Sequence, residues 1–175
     1  MAMHGIADTA WWPTEAGEPA GSRTAMERTS RYLDMRDGVK LAIDVYLPGR
    51  TSAAMTRPTI LHQTRYYRRT LCRWPFEPLM AHRDLMMKLF RRFSAAGYAI
   101  VNVDVRGTGA SYGSRQMELS PQEVKDGAEV VDWIVRQPWS DGQVATMGVS
   151  YTGMAAEMAL TNRHQIGRAS CRERV

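Results

Sequence analysis

The run Gly148-Val-Ser-Tyr-Thr-Gly153 sets Ser150 between small residues, a spacing suited to a nucleophilic hydroxyl on a sharp bend. The chemistry would be attack on a carbonyl followed by formation of an acyl-serine. Such a serine needs a strand before it, a helix after it and small neighbours two positions away so that the backbone can fold back. An apolar segment with Val144 and Val149 precedes it, behind the turn signal Asp141-Gly142. Met154-Ala-Ala-Glu-Met-Ala-Leu160 follows, rich in helix formers. Gly148 meets the small-residue requirement, but Thr152 meets it less well, and Gly153 comes one position late. The local pattern is therefore equally that of a serine capping a helix after a buried strand.

Other chemistries find less support. Arg106-Gly-Thr-Gly-Ala-Ser-Tyr-Gly113 suggests a dinucleotide loop, but Tyr112 stands where the third glycine is needed and no helix pattern follows. It reads as a structural glycine loop, and no cofactor is expected. Cys72 and Cys171 form no disulfide framework, and the four histidines are scattered away from other metal ligands, so no metal site is expected. The net charge of +5 rests on arginines clustered at Arg65–Arg73 and in the last dozen residues. Beyond Tyr66-Tyr67 no aromatics interleave with them, which reads as a solvated basic surface rather than a nucleic-acid face.

The elements that must position Ser150 are legible upstream. Arg31 to Pro48 predicts a β-hairpin about Asp37-Gly38, with Val39, Leu41, Ile43 and Val45 alternating with Lys40, Ala42 and Asp44. Pro58–Gln63 predicts a buried strand whose His62 reads as a core or strand-end histidine rather than a catalytic one. The polar loop Thr64–Thr70 then lies at a strand's carboxyl end, where ligands gather in α/β sheets. A helix is expected over 80–96, with Leu85, Met86, Leu89, Phe90 and Phe93 as its apolar stripe and Gly97 as its cap. Tyr98–Asp104 reads as a buried parallel strand. Ser120-Pro-Gln-Glu123 is a capping box opening a helix with Val124, Ala128, Val131, Ile134 and Val135 on one side. Strand and helix alternate from Pro58 onward, which predicts a parallel sheet with right-handed crossovers.

These separated motifs together resemble the CocE/NonD hydrolases, α/β-hydrolases of the cocaine-esterase-like and Xaa-Pro dipeptidyl-peptidase-like kind. The resemblance runs from about Arg31 to about Arg163, through Met35–Pro48, Thr64-Arg-Tyr66, Gly97-Tyr98, Asp104–Ser111, Asp126-Gly127, Trp133, Gln137–Gly142 and Gly148–Gly153. In that family G-x-S-Y-x-G is usual, so Thr152 fits. The resemblance implies a partial α/β-hydrolase fold, an N-terminal hairpin followed by a parallel sheet with flanking helices, ending after the nucleophile elbow. It implies Ser150 as nucleophile, with the oxyanion held by the Tyr151 backbone N–H and a tyrosine hydroxyl. Counting from Pro58 that tyrosine is Tyr66, with the adjacent Tyr67 as the alternative. The substrate would be a small-molecule ester or amide, with ester cleavage favoured over Xaa-Pro peptide cleavage.

In such hydrolases an Asp or Glu and then a His follow the serine. After Ser150 the one histidine is His164, on or just past the departing helix. The triad Asp and His are therefore expected outside this chain, and the chain by itself is expected to be inactive. Ile166–Val175 has no apolar period and resembles a translated sequencing-adapter read-through. The expected organisation is a leader over 1–30, the N-terminal part of a hydrolase domain over 31–165, and a foreign tail over 166–175. Residues 1–10 lack the basic and apolar regions of a signal peptide and no window reaches membrane-spanning length, so no membrane contact and a cytoplasmic location are expected. The competing expectation is a non-catalytic binding or scaffold protein on a hydrolase-like half-sheet, with an exposed edge.

Overall fold

The computed structural model describes residues 26–49, 55–68 and 85–161. Residues 1–25 of the expected leader, residues 80–84 of the expected helix, Arg69, Arg73, both cysteines, His164 and the tail lie outside them. Among the described residues no helix is long and apolar enough to cross a membrane.

Five strands form one sheet in the order β1-β2-β4-β3-β5. The hairpin of β1 (Met26–Asp34) and β2 (Lys40–Pro48) is antiparallel and closes at the expected turn. There the Gly38 N–H donates to the Met35 carbonyl at 2.8 Å and Gly38 adopts φ +78, which a side chain tolerates poorly. β1 begins earlier than expected, so Met26 to Ser30 pair with Pro48 to Asp44 rather than joining the leader.

β2 runs antiparallel to β4 (Ala99–Asp104), and β3 (Arg57–Thr64) lies parallel to both β4 and β5 (Ser140–Thr146). The strands from Pro58 onward are parallel as expected, and the antiparallel hairpin joins them through β2 to make one mixed sheet. The Asp141-Gly142 turn signal falls inside β5. Gly142 takes φ +86 there, and the strand's register against β3 shifts between Arg57 and Thr59.

The sheet is covered on two faces. Ile43, Val45, Val101, Val103, Leu61 and Val144 pack with Val130, Val131 and Ile134 of α2 (Pro121–Val135). On the other face Tyr46, Ile60 and Ile100 pack with Phe90 of α1 (Leu85–Ala95). Because β2 is interior, its alternating pattern does not leave a wet face: Ala42, Asp44 and Tyr46 are buried along with Leu41, Ile43 and Val45.

The expected stripes hold in part. In α1 the expected Phe90 is fully buried and Met86 and Phe93 pack beside it, whereas Leu85 is 64% exposed and Ser94 is buried in addition. α2 buries Glu123, Asp126, Gly127, Val130, Val131 and Ile134, leaving Val124, Ala128 and Val135 at the margin. Charged residues occupy the buried stripe because partners inside the fold neutralise them, which hydrophobic periodicity does not register.

Candidate active site

β5 ends at Thr146 and α3 (Tyr151–Thr161) begins five residues later, so Met147 to Ser150 make the whole bend. Ser150 has φ +61, a left-handed conformation rare for a side-chain-bearing residue, and stands exposed at the tip. Gly148 makes the bend feasible: a Cβ there would lie 2.1 Å from the Thr152 carbonyl carbon. At Gly153 the fit is looser, with a Cβ 3.3 Å from the Gly148 oxygen. Thr152 contributes in a different way. Its hydroxyl accepts from the Val149 N–H at 2.7 Å and donates to the Val149 carbonyl at 2.9 Å. The first helical bond, Met154 N–H to the Ser150 carbonyl at 3.0 Å, then leaves the Tyr151 N–H in the first turn without an intrahelical acceptor.

The Tyr151 side chain points inward and is 1% exposed. Its hydroxyl donates to Glu123 Oε1 in a short contact. Burial, then the hydrogen bond and the charge of Glu123, push the phenol well above its ordinary pKa and keep it protonated. Glu123 was expected to complete a capping box. The Ser120 hydroxyl does accept from the Glu123 N–H at 3.3 Å, but the Glu123 carboxylate turns to Tyr151 and to Arg115, whose Nε is 3.6 Å from Oε2.

Tyr66 reaches the same place from the end of β3. Its ring stands edge-on to that of Tyr151, with centroids 6.2 Å apart and planes at 85°. The Arg65 guanidinium lies 4.9 Å from the Tyr66 centroid and 5.2 Å from the Tyr151 centroid. Tyr67 is 66% exposed at φ +75 and makes no ring contact with Tyr151 among the described residues.

The loop carrying Tyr66 is anchored by a polar row crossing three strands. Asp44, Asn102 and His62 stand side by side in register on β2, β4 and β3. His62 Nδ1 and Asn102 Oδ1 are 2.9 Å apart, and Asn102 Nδ2 donates to the Arg68 carbonyl at 3.1 Å. Arg68 donates from Nη1 to Asp44 at 2.6 Å and from Nε to Asp104 at 3.0 Å. The expected solvated basic surface is thus wrong for Arg68, which pairs with two buried carboxylates, while Arg65 keeps part of its side chain in solvent. His62, as expected, serves the core.

The glycine loop after β4 completes this support. Asp104 accepts from the Arg68 N–H at 2.7 Å and the Ala110 N–H at 3.0 Å. At Gly109 a Cβ would fall 2.3 Å from an Asp104 oxygen, so the loop closes on the carboxylate only with glycine there. Arg106 grips Asp126 through two 2.6 Å bonds and reaches Asp37 at 2.9 Å, tying the hairpin turn to α2. No group of three or more metal-ligating side chains occurs among the described residues.

A mixed sheet in this order, with its third parallel strand leading through a left-handed serine into a helix, defines an α/β-hydrolase. Within that class the chain belongs to the X-Pro dipeptidyl-peptidase (S15) family, whose profile matches residues 37–171, and it resembles the CocE/NonD hydrolases. The matched range includes the first six residues of Ile166–Val175. A candidate serine esterase of Mycobacterium bovis is 49% identical over 170 residues, covering 94% of this chain and 27% of that protein. Cocaine esterase of a Rhodococcus species is 32% identical over 122 residues, covering 70% of this chain and 19% of that protein. A CocE/NonD family hydrolase from Staphylococcus aureus shares the fold at a TM-score of 0.64 and 22% identity, over 81% of this chain and 26% of that one. The chain therefore spans about a quarter of the length of the curated relative it matches at 49% identity.

Proposed function

We propose that this chain carries the nucleophile and oxyanion donors of a serine hydrolase that cleaves carboxylic esters through an acyl-enzyme at Ser150. The observation that carries the reading is Ser150 at φ +61, exposed where β5 turns into α3, with Tyr66 packed beside the following residue. In the reaction Ser150 Oγ bonds to the substrate carbonyl carbon while a general base takes its proton. The carbonyl oxygen becomes an oxyanion, held by the Tyr151 N–H at the helix N-terminus and by the Tyr66 hydroxyl. The alcohol leaves with a proton, and water repeats the sequence on the acyl-serine.

In such hydrolases the base follows the nucleophile along the chain, so it is expected in the part of the relatives' length that this chain does not span. His62 is buried against Asn102 and Phe90, and the other three histidines lie outside the described residues. A serine without a base is a weak nucleophile, so the 175 residues alone are expected to be inactive. The names of the mycobacterial relative and of cocaine esterase favour esters over Xaa-Pro peptides.

A fluorophosphonate probe on the full-length protein tests the assignment. Labelling is expected at Ser150 and is lost in Ser150→Ala, and p-nitrophenyl esters are cleaved faster than Xaa-Pro anilides. An intact protein that takes no label and cleaves no ester would sink the proposal. A fragment that folds cooperatively and takes no label even within the full-length protein would favour the scaffold reading.

A further inference from the structure

Arg65 is in an unusual position for a half-exposed cation. Its guanidinium faces both tyrosine rings, 4.9 Å from Tyr66 and 5.2 Å from Tyr151, and pairs with Glu118. Glu118 in turn lies 3.3 Å from Arg115, whose guanidinium stands 5.2 Å from the same Tyr151 ring. Tyr151 is fixed already, since its ring is buried and its hydroxyl is bound to Glu123. Tyr66 is held less firmly: the residue is 50% exposed, and its ring meets Tyr151 edge-on and the Arg65 guanidinium over its face.

We propose that Arg65 is a positioning residue for the oxyanion hole. Braced by Glu118, it holds the Tyr66 ring against Tyr151 so that the side-chain donor keeps a fixed place relative to the backbone donor. The proposal rests on Tyr66 and Tyr151 being those donors. Its physical basis is that a planar guanidinium stacks on ring faces while bonding a carboxylate at its edge, which an ammonium does less well. A half-exposed contact of this kind adds little to global stability. It matters because a donor aimed at the transition state loses its effect when displaced by even about 1 Å.

The experiment is a double-mutant cycle on the full-length protein, with a p-nitrophenyl ester as substrate. Arg65→Met is expected to lower kcat about tenfold or more while KM moves less than about twofold, the mark of an interaction made in the transition state. Tyr66→Phe alone is expected to cost on the order of a hundredfold. The double variant should be no slower than Tyr66→Phe, because Arg65 acts through the hydroxyl already removed. Arg65→Lys should recover only part of the loss, and thermal melts of all variants should stay close to wild type. Fully additive costs, or an Arg65→Met loss confined to KM or to melting temperature, overturn the role of Arg65 and leave the oxyanion hole standing. A Tyr66→Phe variant of wild-type rate overturns the oxyanion reading itself, and the proposal with it.

Discussion

The hydroxyl of Thr152 both accepts from and donates to the backbone of Val149, at 2.7 and 2.9 Å, and so bridges the two residues that flank the Ser150–Tyr151 pair. This closure keeps Ser150 in its left-handed conformation without another glycine beside it. Thr152→Val keeps the shape and removes both bonds, leaving the Val149 N–H unsatisfied. A loss of about 1–3 kcal/mol in urea unfolding is expected, with slower labelling of Ser150. An unchanged midpoint and labelling rate would show that the bend holds itself.

Gly148→Ala is the more severe change. The new methyl would overlap the backbone of Thr152, at 2.1 Å from carbon and 2.2 Å from oxygen, where no side-chain rotation relieves the clash. The bend must open, at about 1–3 kcal/mol or more, and fluorophosphonate labelling should be lost. Gly153→Ala, whose methyl would sit at 3.3 Å, should cost less in the same assays.

Tyr151 gives a pH dependence with a definite sign. Its folded pKa is raised, by burial first and by Glu123 second. The stabilisation is fully present below the unfolded value, near 10, and declines as pH rises toward the folded one, because only the unfolded chain releases the proton. Denaturant midpoints measured on either side of about pH 10 should fall in the wild type. In Tyr151→Phe that fall should shrink. Equal slopes would remove Tyr151 as the cause.

Arg106→Gln tests the tie between the hairpin and α2. Asp126 is nearly fully buried, and its strongest partner is Arg106, whose charged form is favoured chiefly by those two bonds. Removing the arginine leaves Asp126 with the more exposed Arg36 at 3.1 Å. A buried carboxylate robbed of its main partner costs about 3–5 kcal/mol, to be read from thermal or urea unfolding. A loss below 1 kcal/mol would mean that Arg36 or water compensates.

Several parts of the site were legible before any coordinates. The Asp37-Gly38 turn, the apolar run of β4 and the Ser120-Pro121 helix start are local signals, decided within a few residues. Gly148 and Ser150 belong with them, because a left-handed serine on a tight bend demands a small residue at a fixed spacing. Counting along the loop after β3 points to Tyr66 rather than Tyr67, and the ring of Tyr66 meets that of Tyr151.

What tertiary structure alone decided is where the charges go. Asp44 sits at an alternating position that reads as wet, yet β2 is interior and Arg68 neutralises it across 24 residues of chain. Glu123 has the position of a capping-box acid and serves Tyr151, 28 residues away. Arg68 reads as solvated and instead pairs with Asp44 and Asp104. The physical reason is common to all three. Hydrophobic period and turn chemistry are properties of neighbours in sequence, whereas a buried charge is tolerated only through a partner that the fold brings from afar.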